Sequence, residues 1–174
     1  MTSPVRITRV QPSDWSRLRT IRLAALLDTP RAFGSTYERE LAFDEATWRA
    51  RTTTAAQFLA CDGDQVVGLA GGLADSADCT PEQRLLVSVW VAPTHRGHRI
   101  VAALVDAVAA WALTDGATSL LLDVATDNEP ALHAYERLGF VATGVRKPMP
   151  RDEMIIEQAM VCGLNAQAQA GPRR

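Results

Sequence analysis

Two arginines and two histidines crowd one glycine in the run Val91-Ala92-Pro93-Thr94-His95-Arg96-Gly97-His98-Arg99-Ile100-Val101. Guanidinium and imidazole groups at this spacing suit an anion. If a strand ends at the start of the run and a helix begins within it, the first helical turn leaves backbone N–H groups without internal acceptors. Those donors lie at the positive end of the helix dipole, where phosphate binds readily. An ordinary strand–helix turn reads from the same residues, so the run alone leaves both readings open.

The flanking segments supply the strand and the helix. Leu85 to Trp90 is short, apolar and rich in β-branched residues, a buried strand. Ile100 to Ala112 is apolar almost all round and rich in Ala and Leu, a buried helix stopped by Thr114-Asp115-Gly116. Leu120 to Val124 is apolar on both faces and therefore a central strand. The βαβ unit so formed crosses over right-handed, which sets its two strands parallel.

Upstream, Val5 to Arg9 alternates as a half-buried strand, and Pro12-Ser13-Asp14 starts a helix carrying Trp15, Leu18, Ile21 and Ala25. Asp28-Thr29-Pro30 stops it; Arg31 to Glu38 has no clean period, and Asp44 caps a short helix with Trp48. Phe58–Cys61 and Val66–Leu73 form a hairpin at Asp62-Gly63. Gly68, Gly71 and Gly72 weaken its second strand or mark a close approach by backbone or ligand. Downstream, Asp127 to Pro130 opens a helix with Leu132, Tyr135 and Leu138 on one face, ended by Gly139. Phe140–Arg146 and Met154–Val161 close the fold as a hairpin. One domain is expected over residues 1–164, with a disordered tail over 165–174.

Hydrophobic content of 47% with 22% charged residues is globular, and a net charge of −2 argues against a nucleic-acid surface. Cys61, Cys79 and Cys162 are an odd set without metal-ligand spacing, which points to free thiols in a reducing compartment and to no metal. No run approaches the ~18 apolar residues of a membrane span, and residues 1–10 hold no signal-peptide core. A cytoplasmic protein without membrane or nucleic-acid partners is expected.

Three pieces in this order resemble the GNAT superfamily of acetyl-CoA-dependent N-acetyltransferases, over Val5 to about Val161. They are Val89 to Pro93 followed by Arg96-Gly97; Asp123-Val124 with Asn128 to Leu132 and Tyr135 to Phe140; and Arg22 to Glu40 with Ala32 to Thr36. The resemblance implies an α/β fold: a mixed, mostly antiparallel sheet of six to seven strands, helices on both faces and a splayed parallel strand pair. It implies acetyl-CoA as acetyl donor. Main-chain groups of Val89, Trp90 and Val91 would hold the pantetheine. Arg96, Gly97, His98, Arg99, Ile100, Val101 and Ala102 would hold the pyrophosphate. Asn128 and Ala131 would lie by the pantetheine arm, although capping a helix explains Asn128 as well. In the family's phosphate loop small residues stand where this chain has Arg99 and Val101. An Arg held left-handed there would cost about 1–2 kcal/mol, yet its guanidinium could bind a CoA phosphate.

The reaction so implied is direct attack of an amine on the thioester in a ternary complex. The amine must first lose a proton, since an alkylammonium titrates near ~10.4. The leaving thiolate benefits from an acid, for which Tyr135 occupies the family position; a core aromatic is the plainer reading of that residue. For the base, many relatives carry Glu where this chain has Ser88. Glu40 is the expected base, with Glu38 and Asp123 behind it, and a solvated or ion-paired carboxylate explains each equally. The acceptor is expected to be a small-molecule amine or a peptide. Homodimerisation, common among relatives, is left open by the residues. The rival reading is a non-catalytic acyl-CoA-binding or interaction module with a degenerate pyrophosphate loop.

Overall fold

A computed structural model describes residues 4–164. The tail expected over 165–174 lies outside the described residues. The chain runs β1 (Arg6–Arg9), α1 (Trp15–Asp28), α2 (Tyr37–Leu41), α3 (Glu45–Thr54), β2 (Ala56–Asp62), β3 (Gln65–Leu73) and β4 (Gln83–Val91). It continues as α4 (Ile100–Thr114), β5 (Ser119–Ala125), α5 (Glu129–Arg137), β6 (Val141–Met149) and β7 (Asp152–Gly163). The seven strands are ordered β1-β2-β3-β4-β5-β7-β6, a mixed, mostly antiparallel sheet. Among the described residues its parallel ladder joins Gln83–Leu85 of β4 to Ser119–Leu121 of β5. Both strands run on beyond that ladder, β4 to Val91 and β5 to Ala125.

The residues divide into two compact units: the chain up to Leu73 with Leu86–Val108, and Ala74–Leu85 with the chain from Ala109 onward. In the first unit Leu18, Ile21, Ala25 and Leu26 of α1 pack with Trp48, Leu59, Leu69 and Trp90. The helical spacing of these α1 residues explains why one stripe is buried. Asp44 caps α3, its Oδ1 accepting the Thr47 N–H at 2.8 Å. A Cβ on Gly68 would come within 2.9 Å of the Trp90 carbonyl oxygen, so glycine lets the β3 and β4 backbones approach here. The segment Arg31–Glu38, without a clean period in sequence, supplies the start of the five-residue α2, capped by Thr36.

In the second unit β5 pairs with β7 from Ser119↔Gly163 to Ala125↔Glu157, and β6 pairs with the other edge of β7. Leu120, Leu122 and Val124 are buried, as an apolar central strand requires. Gly139, at φ 92°, closes α5 with its N–H on the Glu136 carbonyl at 3.0 Å. Among the described residues no helix is long and apolar enough to cross a membrane.

Candidate active site

In the first unit β4 is interrupted at Ser88, which takes a φ of 60° within the strand. A side chain other than glycine is strained there, so neighbours must hold it. Arg22, buried on α1, donates from Nη1 to Ser88 Oγ at 3.3 Å. Its Nε and Nη2 bind the two oxygens of Glu40 at 3.1 and 2.9 Å, and its guanidinium lies 4.6 Å from the Phe33 ring. Arg51 of α3 binds the same two oxygens at 2.8 and 3.3 Å. Glu40 is wholly buried. Burial by itself would raise its carboxyl, but the hydrogen bonds and charges of Arg22 and Arg51 outweigh burial and hold it below the usual carboxylate range.

Beyond β4, Arg96 is a brace. Its Nε donates to the Val91 carbonyl at 3.0 Å, and Nη2 pairs with the Asp28 carboxylate at the end of α1. Asp28 also accepts from Trp90 Nε1 at 2.9 Å; that bond, against burial and with Arg96 assisting, keeps its carboxyl low. Trp90 thus contributes its side chain to packing and to Asp28. His95 meets Asp62 at 3.4 Å, and His98 Nδ1 meets the His95 carbonyl at 3.3 Å.

The turn after Arg96 has two left-handed residues, Gly97 at φ 82° and Arg99 at φ 60°. Arg99 therefore keeps the backbone shape that a glycine adopts freely. Its side chain is exposed and makes no ion pair among the described residues. The first helical hydrogen bond of α4 runs from the Ala103 N–H to the Arg99 carbonyl at 3.1 Å. The N–H groups of Gly97, His98, Arg99, Ile100, Val101 and Ala102 consequently meet no acceptor among the described residues. Ile100 is buried, whereas Val101 and Ala102 are half-buried. A Cβ on Gly97 would meet nothing within 4 Å, so this side of the turn is open. Consecutive free donors at a helix start, with one free guanidinium, fit a diphosphate.

In the second unit Asn128 caps α5, its Oδ1 accepting the Ala131 N–H at 3.3 Å. That leaves the Asn128 amide donors available for another partner. Tyr135 stacks edge-on against Phe140 at 5.7 Å. Its half-buried side chain has no hydrogen bond from the hydroxyl among the described residues. Burial pushes that hydroxyl well above the usual phenol value, so it carries its proton at neutral pH.

The same unit holds a cluster of which the sequence singles out only Asp123. Glu157 of β7 stands opposite both Ala125 of β5 and Lys147 of β6, and Asp123 lies two residues before Ala125. Period-two alternation puts Asp123, Lys147 and Glu157 on one face. Lys147 Nζ lies 2.9 Å from Asp123 and 2.9 Å from Asp78. Asp123 Oδ1 is buried and unpartnered among the described residues. Glu157, only 9% exposed, has no side-chain hydrogen bond among them either. Burial first, then the charge of Asp123, raise its carboxyl above the usual range against the opposing pull of Lys147 and Arg151. The sequence carries a signal for it: Ile155, Glu157 and Ala159 alternate as the buried stripe of β7, and one of the three is charged.

The sequence model of the Acetyltransferase (GNAT) family matches residues 20–140. Streptothricin acetyltransferase of Streptomyces lavendulae is 39% identical over 84 residues, which span 48% of this chain and 42% of that protein. The chain thus matches less than half the length of that relative. A GNAT-family acetyltransferase from Streptococcus pneumoniae has a similar structure, with a TM-score of 0.79 at 18% identity, over 93% of this chain and 100% of that one. An acetyltransferase structure from Salmonella typhimurium, solved with its cofactor acetyl-CoA, gives a TM-score of 0.73 at 20% identity over 98% of each chain. Nourseothricin acetyltransferase gives 0.57 at 26% identity, over 64% of this chain and 66% of that one.

Proposed function

The chain belongs to the acetyltransferase (GNAT) family, and on that premise we propose that it transfers an acetyl group from acetyl-CoA to an amine by direct attack, with both substrates bound together. The observation that carries this reading is the turn at Arg99. A residue that ought to resist the left-handed conformation adopts it, and the run of unmatched N–H groups over Gly97–Ala102 is kept. Those groups and the Arg99 guanidinium hold the pyrophosphate. Arg96, tied to Asp28 and Val91, fixes the turn to the end of β4. Main-chain groups of Val89, Trp90 and Val91 hold the pantetheine arm.

Acetyl-CoA supplies an acyl group already activated as a thioester, so the protein's tasks are placement and proton handling. Tyr135, protonated at neutral pH, is the acid for the departing thiolate. Glu40 anchors Arg22, which in turn holds Ser88 and the bend of β4. With both oxygens bound by two guanidiniums, Glu40 is poorly suited to receive a proton.

Calorimetric binding of acetyl-CoA, followed by thiol release over a panel of amines, tests the reading. Streptothricin, the acceptor in the relative's name, is the first amine to try. Arg99→Ala should weaken binding by about tenfold, the worth of one charge-assisted contact. Absence of acetyl-CoA binding by the wild type overturns the proposal. A second reading, an acyl-CoA-binding module without turnover, draws on Ser88 standing where many relatives carry Glu. It predicts acetyl-CoA binding with no thiol release for any amine.

A further inference from the structure

We propose that the face of β5, β6 and β7 bearing Asp123, Lys147 and Glu157, with Asp78 beside it, receives a cationic amine, and that Glu157 takes the proton this amine must lose. The inference rests on the transferase reading and adds to it an acceptor class and a base. Three carboxylates share the cluster with one ammonium. Lys147 shows what the face accepts, since its own ammonium bridges Asp78 and Asp123 at 2.9 Å each. Two acceptors are left over: Asp123 Oδ1 is buried without a partner, and Glu157 is nine-tenths buried without a hydrogen bond. An ammonium carries three donors and no acceptor, which is the complement this face lacks. Among the described residues no group of His, Cys, Asp or Glu is arranged to hold a metal ion, so an organic cation is the better match.

The groups acting on Glu157 are known from each neighbouring element. Asp123 and Asp78 raise its carboxyl, while Lys147 and Arg151 lower it, and burial dominates. A buried carboxylate of this kind holds a proton better than one in water, and burial disfavours an ammonium, so the two affinities are drawn together. In the step itself an N–H bond of the bound ammonium breaks and its proton passes to a Glu157 oxygen. The freed nitrogen lone pair forms the C–N bond to the acetyl carbon as the C–S bond breaks. The sulfur leaves with that electron pair and takes a proton from Tyr135. The new C–N nitrogen, one proton richer than an amide, gives that proton to the Tyr135 oxygen; Tyr135 is thus restored, Glu157 passes the first proton to water, and nothing is oxidised or reduced.

The test uses the intact chain, with streptothricin and 1,5-diaminopentane as cationic probes and glutamate as an anionic amine. Binding of each probe to the protein–CoA complex is measured by calorimetry, and kcat and KM are measured for any probe acetylated. The wild type should bind at least one cationic probe and not glutamate. Asp123→Asn should raise its Kd by about tenfold or more, the scale for loss of one partner in a buried charge pair. Glu157→Gln should lower kcat by about 10²-fold or more and remove the acidic limb of the pH–rate profile. Both variants should bind acetyl-CoA as the wild type does. Lys147→Met should tighten cation binding, a change of sign that misfolding cannot imitate. Failure of the wild type to bind either cation while it binds acetyl-CoA overturns the inference and spares the transferase. Glu157→Gln with unchanged kcat and pH profile overturns the base. Failure to bind acetyl-CoA overturns the transferase reading itself.

Discussion

Glu40 and Glu157 are both buried carboxylates, one in each compact unit, and their surroundings make them opposites. Glu40 has two guanidiniums across its two oxygens and is held ionised. Glu157 has no hydrogen bond among the described residues, a carboxylate for a neighbour, and a carboxyl shifted upward. Burial acts in the same direction on both, so partner count decides which becomes a fixed strut and which can exchange a proton. Choosing a base by residue type and position in a motif favours Glu40. Choosing by unsatisfied bonding capacity favours Glu157.

The largest effect should come from removing the strut. Glu40→Gln strands two guanidiniums against a neutral amide, and unfolding in urea should show a loss of about 3–5 kcal/mol. A loss below about 1 kcal/mol would mean that the network carries no such weight. The pH dependence of stability should then separate the two residues by sign. Glu40, lowered in the folded state, contributes stability that is present above the ordinary value of 4.5 and lost as pH falls through its folded value. Glu157, raised in the folded state, should make stability fall as pH climbs from 4.5 through its folded value. Urea midpoints from pH 3 to 7, compared among the wild type and the two Gln variants, read both slopes.

Arg51→Met sharpens the contrast further. Arg51 is one-third exposed and Arg22 continues to pair with Glu40, so the loss should be about 1–2 kcal/mol. The smallest change is expected for Glu157→Gln, within about 1 kcal/mol of wild-type stability, because no ion pair or hydrogen bond is broken. A loss as large as that of Glu40→Gln would place Glu157 among the struts and end the comparison.

Much of the architecture was legible in the sequence because local chemistry determines it. Asp44 and Asn128 cap their helices through their side chains, as their types suggest. Gly116 and Gly139, both left-handed, close α4 and α5 where helix-stop residues stand. The run from Val91 to Val101 was legible as a strand–turn–helix, but the individual roles within it were not. Arg96 reads in sequence as a phosphate ligand; what the sequence does not show is that Asp28, sixty-eight residues away, pairs with its guanidinium. The short α2 escaped periodicity because five residues make little more than one turn. Ser88 gave no local sign of its positive φ, since its conformation is held by Arg22 across a gap of 66 residues. The acidic face escaped for the same reason: Asp78, Asp123, Lys147 and Glu157 meet only through strand pairing.

Lys147 is the sole lysine of the chain, and it is clasped by two aspartates that keep its amine charged despite partial burial. Lysine-directed reagents therefore have one ε-amine to find, and its reactivity is suppressed for as long as both clasps hold. Any ligand that displaces Lys147 from Asp123 would uncover that nitrogen. The labelling rate at a single position thus becomes an optical or mass-spectrometric gauge of occupancy on that face, with no engineered tag.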